Sequence, residues 1–195
     1  MNKKTDPADL TKTRCAWCSE DPIYIKYHDE EWGVPKHDDQ ELFELLSLEI
    51  MQAGLSWITI LKKRSAFRRL FDGFNVKKIS LYDQDKLDSL MKDESIVRNE
   101  KKIRAIIKNA RVFIQIQKTF GSFDKYIWSF VDNKPLLNNF SDDALPSKSL
   151  LSEKISKDLK SKGMVFVGPI IIYSFLQAVG IINDHSINCF LSPVT

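Results

Sequence analysis

The sequence has few cysteines and no long apolar run, and both absences restrict the class of protein. Only three cysteines occur in 195 residues, a small and odd number that argues for reduced thiols or metal ligands rather than a disulfide framework. No stretch reaches the roughly 18 apolar residues that a membrane span needs, and the polar start of the chain lacks the apolar core of a signal peptide. We therefore expect a cytoplasmic protein that is not inserted in a membrane.

The sequence also lacks a large excess of either positive or negative charge. The 29 basic and 26 acidic residues leave a formal net charge of +3, which permits a nucleic-acid partner without indicating one. With 43% hydrophobic residues, the chain is long enough to bury one substantial core. Residues 1–13 are polar and show no apolar period, so we predict a mobile tail there and a single domain of two packed lobes over residues 14–195.

Helical periodicity runs through most of the predicted domain. Asp38 to Glu41 has the pattern of a capping box, which predicts that a helix begins there. One face of this helix would carry Leu42, Leu45, Leu46, Glu49, Gln52 and Ala53. A second amphipathic helix is predicted through residues 103–114, with basic residues opposite its apolar face.

The second half of the chain gives weaker signals of the same kind. Turn-forming residues predict a loop over residues 138–147, followed by a helix through 154–162 that ends at Gly163. The apolar stretch 165–180 suits a buried helix better than a membrane span. No strand alternation of any length is found, so the predicted fold class is mainly α.

Two histidines and two cysteines form a candidate metal site. His185 and Cys189 are four residues apart, so a helical turn would place both on one face. Cys15 and His28 provide the matching half near the N-terminus. Four nitrogen and sulfur ligands favour one tetrahedral zinc ion, and a closed site of this kind is structural rather than hydrolytic. Such an ion would clamp segments near both chain ends.

Alternatives to this ligand set stay open on spacing alone. His185 and Cys189 are also compatible with ordinary buried side chains, because their spacing is not that of a standard zinc finger. Cys18 forms a Cys-x-x-Cys pair with Cys15, so a site of three cysteines and one histidine would include it. We interpret Cys18 as a spectator thiol. A metallohydrolase is disfavoured because the sequence contains no His-Glu-x-x-His motif.

Aromatic residues are concentrated in the segment between Cys15 and Trp57. It contains Trp17, Tyr24, Tyr27, Trp32 and Trp57. Any one of these rings could simply pack in the core. Glu49 favours another interpretation, because a carboxylate on an apolar helix face must be paired, hydrogen-bonded or available to a ligand. Electron-rich rings around one negative group suit a flat cationic ligand such as a positively charged purine.

Several long motifs follow one another along the chain. They are Cys15-Ala16-Trp17, the run from Tyr24 to Pro35, the run from Gln52 to Trp57, Phe166-Val167-Gly168 and Asn183-Asp184-His185. In sequence and order they resemble the 3-methyladenine DNA glycosylase I family, from about Arg14 to about Cys189. The resemblance implies a helix-hairpin-helix DNA glycosylase fold of two helical lobes, with the hairpin region at about residues 83–120.

The resemblance also implies roles for individual residues. The family's zinc ligands match Cys15, His28, His185 and Cys189, and no organic cofactor is expected. In the family's base pocket, the position of the base-binding carboxylate corresponds to Glu49, which would accept a hydrogen bond from the exocyclic amine of the methylated adenine. Tyr27 and Trp57 would stack on the base and Trp17 would border it, with Tyr24 and Trp32 as further members of the pocket.

The DNA-facing residues are inferred in the same way. Gly54 and Leu55 are the candidate wedge that fills the gap left by a flipped nucleotide. Candidate phosphate contacts are the hairpin backbone and Lys101, Lys102, Arg104 and Lys108, although helical lysines are more often just a solvated face. Ser95 stands where the family has a turn glycine, and a positive φ would be disfavoured for serine.

The expected activity is hydrolysis of the N-glycosidic bond of 3-methyladenine in double-stranded DNA that contains alkylated bases. Methylation at N3 makes the base a cation that leaves as a neutral molecule, so little acid catalysis is needed and no lyase step is expected. A monomer is the plain expectation. The alternative is a zinc-stabilised, non-catalytic DNA-binding module in which Glu49 is merely hydrogen-bonded in the core; a base-release assay separates the two.

Overall fold

The computed structural model describes residues 11–193, and α-helices dominate this part of the chain. The helices are α1 (Pro22–Glu30), α2 (Asp39–Gln52), α3 (Trp57–Leu70), α4 (Val76–Ser80), α5 (Gln84–Lys92), α6 (Glu100–Phe120), α7 (Phe123–Trp128), α8 (Leu150–Ser161) and α9 (Pro169–Ala178). Strands β1 (Leu136–Leu137) and β2 (Ile182–Asn183) form one small parallel sheet. The mainly α prediction is confirmed, but this sheet was not predicted because two residues show no alternation.

Helix α2 lies at the centre of the fold. The carboxylate of Asp38 accepts hydrogen bonds from the backbone N–H groups of Gln40 and Glu41, both at 2.9 Å, so the predicted N-terminal cap is confirmed. The helix contacts α3, α6, α7 and α9, and its residues from Leu42 to Met51 are all buried. Because α2 is buried on all sides, a polar side chain on it is removed from water. The backbone groups of the helix stay hydrogen-bonded to one another.

Helix α6 has the predicted amphipathic pattern. Its apolar face is buried, and the ring of Phe113 lies 5.1 Å from Phe43 of α2 and 4.1 Å from Phe123 of α7. Asn99 caps the start of the helix by accepting from the N–H of Lys102. Helices α2, α6 and α7 therefore pack through aromatic contacts into one body.

Helices α5 and α6 are joined by a short loop, residues 93–99, at the position of the expected hairpin. Ser95 in this loop is not in the left-handed region, so the strain expected from replacing a glycine does not arise. Its backbone N–H donates to the Asp93 carboxylate at 2.8 Å, and its hydroxyl donates to the same oxygen. Ser95 thus stabilises this turn through its hydrogen bonds to Asp93, and the turn does not need the positive φ that a glycine would allow.

The two ends of the described chain meet. The N–H of Phe190 donates to the carbonyl of Thr13 at 2.9 Å, and the ammonium of Lys12 lies 4.7 Å from the Phe190 ring centroid. Residues 1–10 of the predicted tail lie outside the described residues. Nearly all buried hydrophobic side chains of the described residues form one cluster, which extends from Cys15 to Cys189. Among the described residues, no helix has the length and apolar character needed to cross a membrane.

Candidate functional site

A pocket of about 230 Å³ opens where the segment 17–32 meets helices α2, α3 and α9. Its wall contains all of the predicted base-binding residues, namely Trp17, Tyr24, Tyr27, Trp32, Glu49 and Trp57. The pocket is smaller than the roughly 300 Å³ or more typical of sites for drug-sized ligands. It therefore suits a ligand of about one fused ring system.

The aromatic rings of the pocket contact one another at an angle. The centroid of Trp17 lies 5.3 Å from that of Tyr24 and 4.8 Å from that of Trp32. Tyr27 and Trp57 are 5.3 Å apart with their planes at 56°. Tilted pairs of this kind are the favourable geometry for aromatic contacts. Among the described residues, the buried indole N–H of Trp57 finds no acceptor.

Two buried glutamates of α2 have opposite surroundings. Glu44 is 6% exposed, and its carboxylate accepts from Arg64 at 2.6 Å and from Arg68 at 2.9 Å. Glu49 is 4% exposed and lines the pocket, yet no group within residues 11–193 donates a hydrogen bond to it. An unpaired buried carboxylate is costly in an empty protein, which indicates that the missing partner is a ligand.

Burial also changes the titration of the pocket. Desolvation raises the pKa of Glu49 to about 8, because the charged form is disfavoured away from water. Desolvation likewise raises the pKa of Tyr27 and Tyr24, and the negative charge of Glu49 raises both further. Both phenols are therefore neutral hydrogen-bonding groups near neutral pH. A cationic ligand would favour the charged form of Glu49 and lower its pKa again.

Four further residues line the pocket that were not predicted as site residues. They are Gln52, Leu145, Ser174 and Gln177. Gln52 was placed on the inward face of α2 and could have been proposed from its position one turn after Glu49. Leu145 lies in a predicted loop and Ser174 and Gln177 in a predicted buried helix, so only the tertiary structure brings them here.

Beside the pocket, three predicted metal ligands converge. The ligand atoms of Cys15, His28 and Cys189 lie within 4.8 Å of one another, and all three residues are buried. The Sγ of Cys189 is 3.5 Å from Nε2 of His28. The cysteines are free thiols, and Cys18, the competing thiol, is half-buried outside this group.

The fourth predicted ligand, His185, stands next to this group. Its ring centroid lies 5.0 Å from that of His28. Its Nδ1 is 2.9 Å from the side-chain oxygen of Asn183, whereas its buried Nε2 has no partner among the described residues. A Cβ at Gly33, whose φ is +75°, would lie 2.9 Å from the His185 ring, so glycine is needed to admit this histidine.

The outer contacts orient the histidines. Nδ1 of His28 bonds the Asp29 carboxylate at 2.8 Å, and Arg14 donates to the same carboxylate through two nitrogens, at 2.7 and 2.8 Å. A carboxylate or carbonyl on one ring nitrogen with the other directed at a common point is the usual arrangement of metal-binding histidines. A hydrogen bond from Cys15 and one with His28 lower the pKa of Cys189, which favours the thiolate form of this side chain.

The pocket and the group formed by Cys15, His28, His185 and Cys189, here called the metal cluster, share two walls. Trp17 lies 5.2 Å from the His28 ring, and Trp32 lies 4.6 Å from the His185 ring. Both tryptophans also line the pocket. A second link is Asp184, which accepts from Gln177 of the pocket at 2.7 Å and directly precedes His185. A structural change in the cluster would therefore alter the positions of residues that line the pocket.

The predicted wedge residues lie at the pocket's edge, between α2 and α3. Gly54 has a φ of +79°, and a Cβ added there would meet no atom within 4 Å, so backbone conformation rather than space requires glycine at this position. Leu55 is 41% exposed. An exposed leucine two residues before Trp57 of the pocket is well placed to contact a ligand that extends beyond the cavity.

The four predicted phosphate contacts divide into two groups. Lys101 and Lys108 are exposed, and Arg104 is exposed while donating to Glu100 at 2.7 Å and to Gln84 at 2.9 Å. Lys102 is only 6% exposed, and its ammonium donates to two backbone carbonyls of the protein. The expectation that Lys102 binds phosphate is therefore not supported, because its donors are already used inside the fold.

Together these features define a helical protein with a recessed aromatic site for a flat, cationic ligand of about one purine in size. Comparison with known proteins then gives the family. The model of the methyladenine glycosylase family matches residues 17–192, and the chain belongs to that family.

Similar proteins agree with this assignment over nearly their full lengths. The chain is 44% identical to the DNA-3-methyladenine glycosylase of Haemophilus influenzae over 178 residues, 91% of this chain and 96% of that one. It is 44% identical to DNA-3-methyladenine glycosylase 1 of Escherichia coli K12 over 181 residues, 92% and 97% of the two chains. A crystal structure of a 3-methyladenine DNA glycosylase I variant in complex with 3-methyladenine superposes with a TM-score of 0.89 at 38% identity, covering 92% and 97%.

Proposed function

We propose that this chain excises 3-methyladenine from double-stranded DNA by hydrolysing its N-glycosidic bond, as its relatives are named for doing. The observation that carries the proposal is Glu49, a buried carboxylate that has no partner in the described part of the chain and lies in a pocket walled by electron-rich rings. A base that is positively charged only when alkylated supplies the missing charge and the flat shape. Undamaged adenine supplies only the shape.

The proposed mechanism uses the pocket for recognition and the chemistry of the base for bond cleavage. Ionised Glu49 accepts from the exocyclic amine while Tyr27 and Trp57 contact the ring faces and Trp17 borders the base, with Tyr24 and Trp32 completing the wall. The alkylated base is a good leaving group because it departs neutral, so the protein mainly orients it and stabilises positive charge near the sugar. None of the described lining residues is a lysine, which supports hydrolysis without a Schiff base or lyase step.

The route of DNA into the site is part of the proposal. We assign Leu55, with Gly54 before it, to the gap left by the flipped nucleotide, because it is exposed beside the pocket. Helices α5 and α6 with their connecting loop act as the helix-hairpin-helix element, and Lys101, Arg104 and Lys108 are the candidate phosphate contacts.

We further propose that Cys15, His28, His185 and Cys189 bind one structural zinc ion. The donor set fits zinc, and the buried, partnerless Nε2 of His185 is the kind of atom that a metal would satisfy. Four protein ligands leave no position for a metal-bound water, so the ion would supply stability rather than chemistry. We retain the expectations of a monomer, of a cytoplasmic location and of no organic cofactor.

The decisive test is base release from methylated DNA with the wild type and with Glu49→Ala. The wild type should release 3-methyladenine and the variant should not, while both bind undamaged DNA with similar affinity. A non-catalytic DNA-binding module would instead bind DNA and release no base in either form, and excision unchanged in Glu49→Ala would refute the role of the carboxylate.

A further inference from the structure

Two lysines connect the two surface loops assigned above to DNA. The first, here called the wedge loop, is residues 53–56 between α2 and α3; the second, the hairpin loop, is residues 93–99 between α5 and α6. They are about 40 residues apart in sequence, and each receives hydrogen bonds from a lysine near the other. The loops are therefore linked to one another directly as well as through the core.

Lys102 of α6 makes the first link. Its Nζ donates to the carbonyl of Met51 at 2.9 Å and to that of Ala53 at 2.6 Å. The last carbonyls of a helix have no partner inside it, so Lys102 caps the C-terminal end of α2 from another helix. Nearly complete burial is rare for lysine and lowers the pKa of Lys102, which indicates that its position is specified by these contacts.

Lys63 of α3 makes the reciprocal link. Its Nζ donates to the carbonyls of Glu94 and Ser95 in the hairpin loop, at 3.0 and 3.2 Å. The guanidinium of Arg69, also on α3, donates to the hydroxyl of Ser95 at 3.2 Å. The helix that begins after the wedge loop thus holds the hairpin loop, and the helix that begins after the hairpin loop holds the wedge loop.

The charge of Lys102 matters as well as its reach. The C-terminal end of α2 carries the partial negative charge of the helix dipole, and the wedge loop follows it immediately. A negative end directed at DNA would repel the phosphate backbone. The ammonium of Lys102 on the two terminal carbonyls offsets this charge where Leu55 would approach the duplex.

Resting on the glycosylase function proposed above, we infer that Lys102 is a positioning residue for nucleotide flipping. It sets the wedge loop relative to the hairpin loop, so that Leu55 enters the duplex while the hairpin loop contacts the strand. The pocket wall is built from other residues, which separates this role from base recognition. Removing Lys102 should therefore impair excision only where the nucleotide must be extracted from a paired duplex.

The test compares Lys102→Met with the matched control Lys118→Met, which removes an exposed lysine from the same helix. A DNA strand with one adenine among pyrimidines is methylated and annealed so that the 3-methyladenine faces either thymine or an abasic site. Single-turnover excision is measured on both duplexes, and binding of free 3-methyladenine is followed by tryptophan fluorescence. Thermal unfolding of each variant establishes that it is folded.

We expect Lys102→Met to be slower by about 30-fold opposite thymine and by less than about threefold opposite the abasic site, because an unpaired nucleotide costs less to flip. Free-base binding should stay within about twofold, since the pocket is intact. Lys118→Met should match the wild type throughout. If Lys102→Met does not fold, Lys63→Met provides the same comparison, with the same difference between the two duplexes expected.

Three results would overturn the inference. They are equal slowing on both duplexes, no slowing on either, and loss of free-base binding in parallel with excision, which would make Lys102 a purely structural residue of the pocket. A wild type that binds DNA but releases no 3-methyladenine from either duplex would overturn the glycosylase function itself, and this inference with it.

Discussion

The pocket and the metal cluster are neighbours that share Trp17 and Trp32, but their buried polar groups are arranged in different ways. In the cluster, Asp29 and Asn183 each contact one ring nitrogen of a histidine, the ligand atoms of Cys15, His28 and Cys189 lie within 4.8 Å of one another, and His185 stands beside them. In the pocket, Glu49 has no hydrogen-bond partner within residues 11–193 and lines the cavity. The first arrangement suits a permanently bound ion, and the second suits a ligand that arrives and leaves.

Burial of a polar group does not by itself indicate whether the group binds a ligand or only stabilises the fold. Glu44 is buried almost as fully as Glu49 on the same helix, yet its two arginine partners make it part of the folded structure. The partnerless groups are the informative ones. Among the described residues, the Glu49 carboxylate and the Trp57 indole belong to the pocket and Nε2 of His185 to the cluster, and the hydroxyl of Ser186, which also lacks a partner, directly follows His185.

The largest effect should come from removing the proposed zinc ion. Structural zinc contributes on the order of 10 kcal/mol in small peptides, so even half of that would lower Tm by about 10 °C or more in a domain of this size. We expect one zinc per chain, a lower Tm after chelation and recovery with added zinc. Cys189→Ser should lose the ion and Cys18→Ser should keep it. If Cys18→Ser also lost the ion, Cys18 would be a ligand in place of one of the four proposed.

The next effect concerns the carboxylate of the pocket. Glu49→Gln keeps the size of the side chain and removes its charge, so excision of 3-methyladenine should fall about 100-fold, the equivalent of one hydrogen bond to a charged group. Zinc content and Tm should not fall, which would distinguish recognition from stability. Glu44→Gln is the matched control and should instead lower Tm with little change in excision; the reverse pattern would break the comparison.

A smaller effect is expected from the outer contact of the cluster. Asp29→Asn removes the carboxylate that orients His28, and changes of this kind typically lower metal affinity by about 10- to 100-fold. Competition with a zinc-binding dye measures the change. Excision by the zinc-loaded variant should stay near that of the wild type, and an excision defect larger than the affinity defect would place Asp29 in the function of the pocket.

A further effect is a pH dependence that belongs to the pocket alone. Because the pKa of Glu49 is raised to about 8, kcat/KM on the cationic base should rise with pH by roughly tenfold per unit below 8 and then level off. Glu49→Gln should show no such slope. A flat wild-type profile between pH 6 and about 8 would mean that Glu49 is already ionised in the free protein.

The same raised pKa should affect stability with the opposite sign. The folded protein binds a proton on Glu49 that the unfolded chain has released, so the stability of the free protein decreases as pH rises from 4.5 to about 8. Comparing Tm between the wild type and Glu49→Gln across this range isolates the contribution. Activity and free-protein stability should therefore change in opposite directions with pH.

Much of the site could be predicted from local patterns. The cap at Asp38, the inward face of α2 and the isolated carboxylate at Glu49 follow from spacing along one helix, because a helix places residues three and four apart on one side. The predicted pairing of His185 with Cys189 used the same argument, but residues 184–189 form no helix, and the close group of ligand atoms is Cys15, His28 and Cys189 with His185 beside it. The resemblance to the family added the assignment of individual rings, which spacing alone left compatible with core packing.

Other features depend on contacts between distant parts of the chain. Lys102 has the sequence context of an exposed lysine on an amphipathic helix, but it lies against the end of α2, some 50 residues away. Leu145, Ser174 and Gln177 enter the pocket from segments whose patterns predict only a loop and a buried helix. Ser95 keeps an ordinary backbone conformation because Asp93 and Lys63 stabilise its turn.

The sequence by itself determined which residue types were available: scarce cysteines and histidines, a concentration of aromatic rings and one carboxylate on an apolar face. Local periodicity is sufficient for this because neighbours on a helix are set by backbone geometry. Only the tertiary structure decided which polar groups found partners. It paired Glu44 and left Glu49 free, and it turned Lys102 inward, because hydrogen-bond satisfaction of a buried group depends on what other segments bring to it.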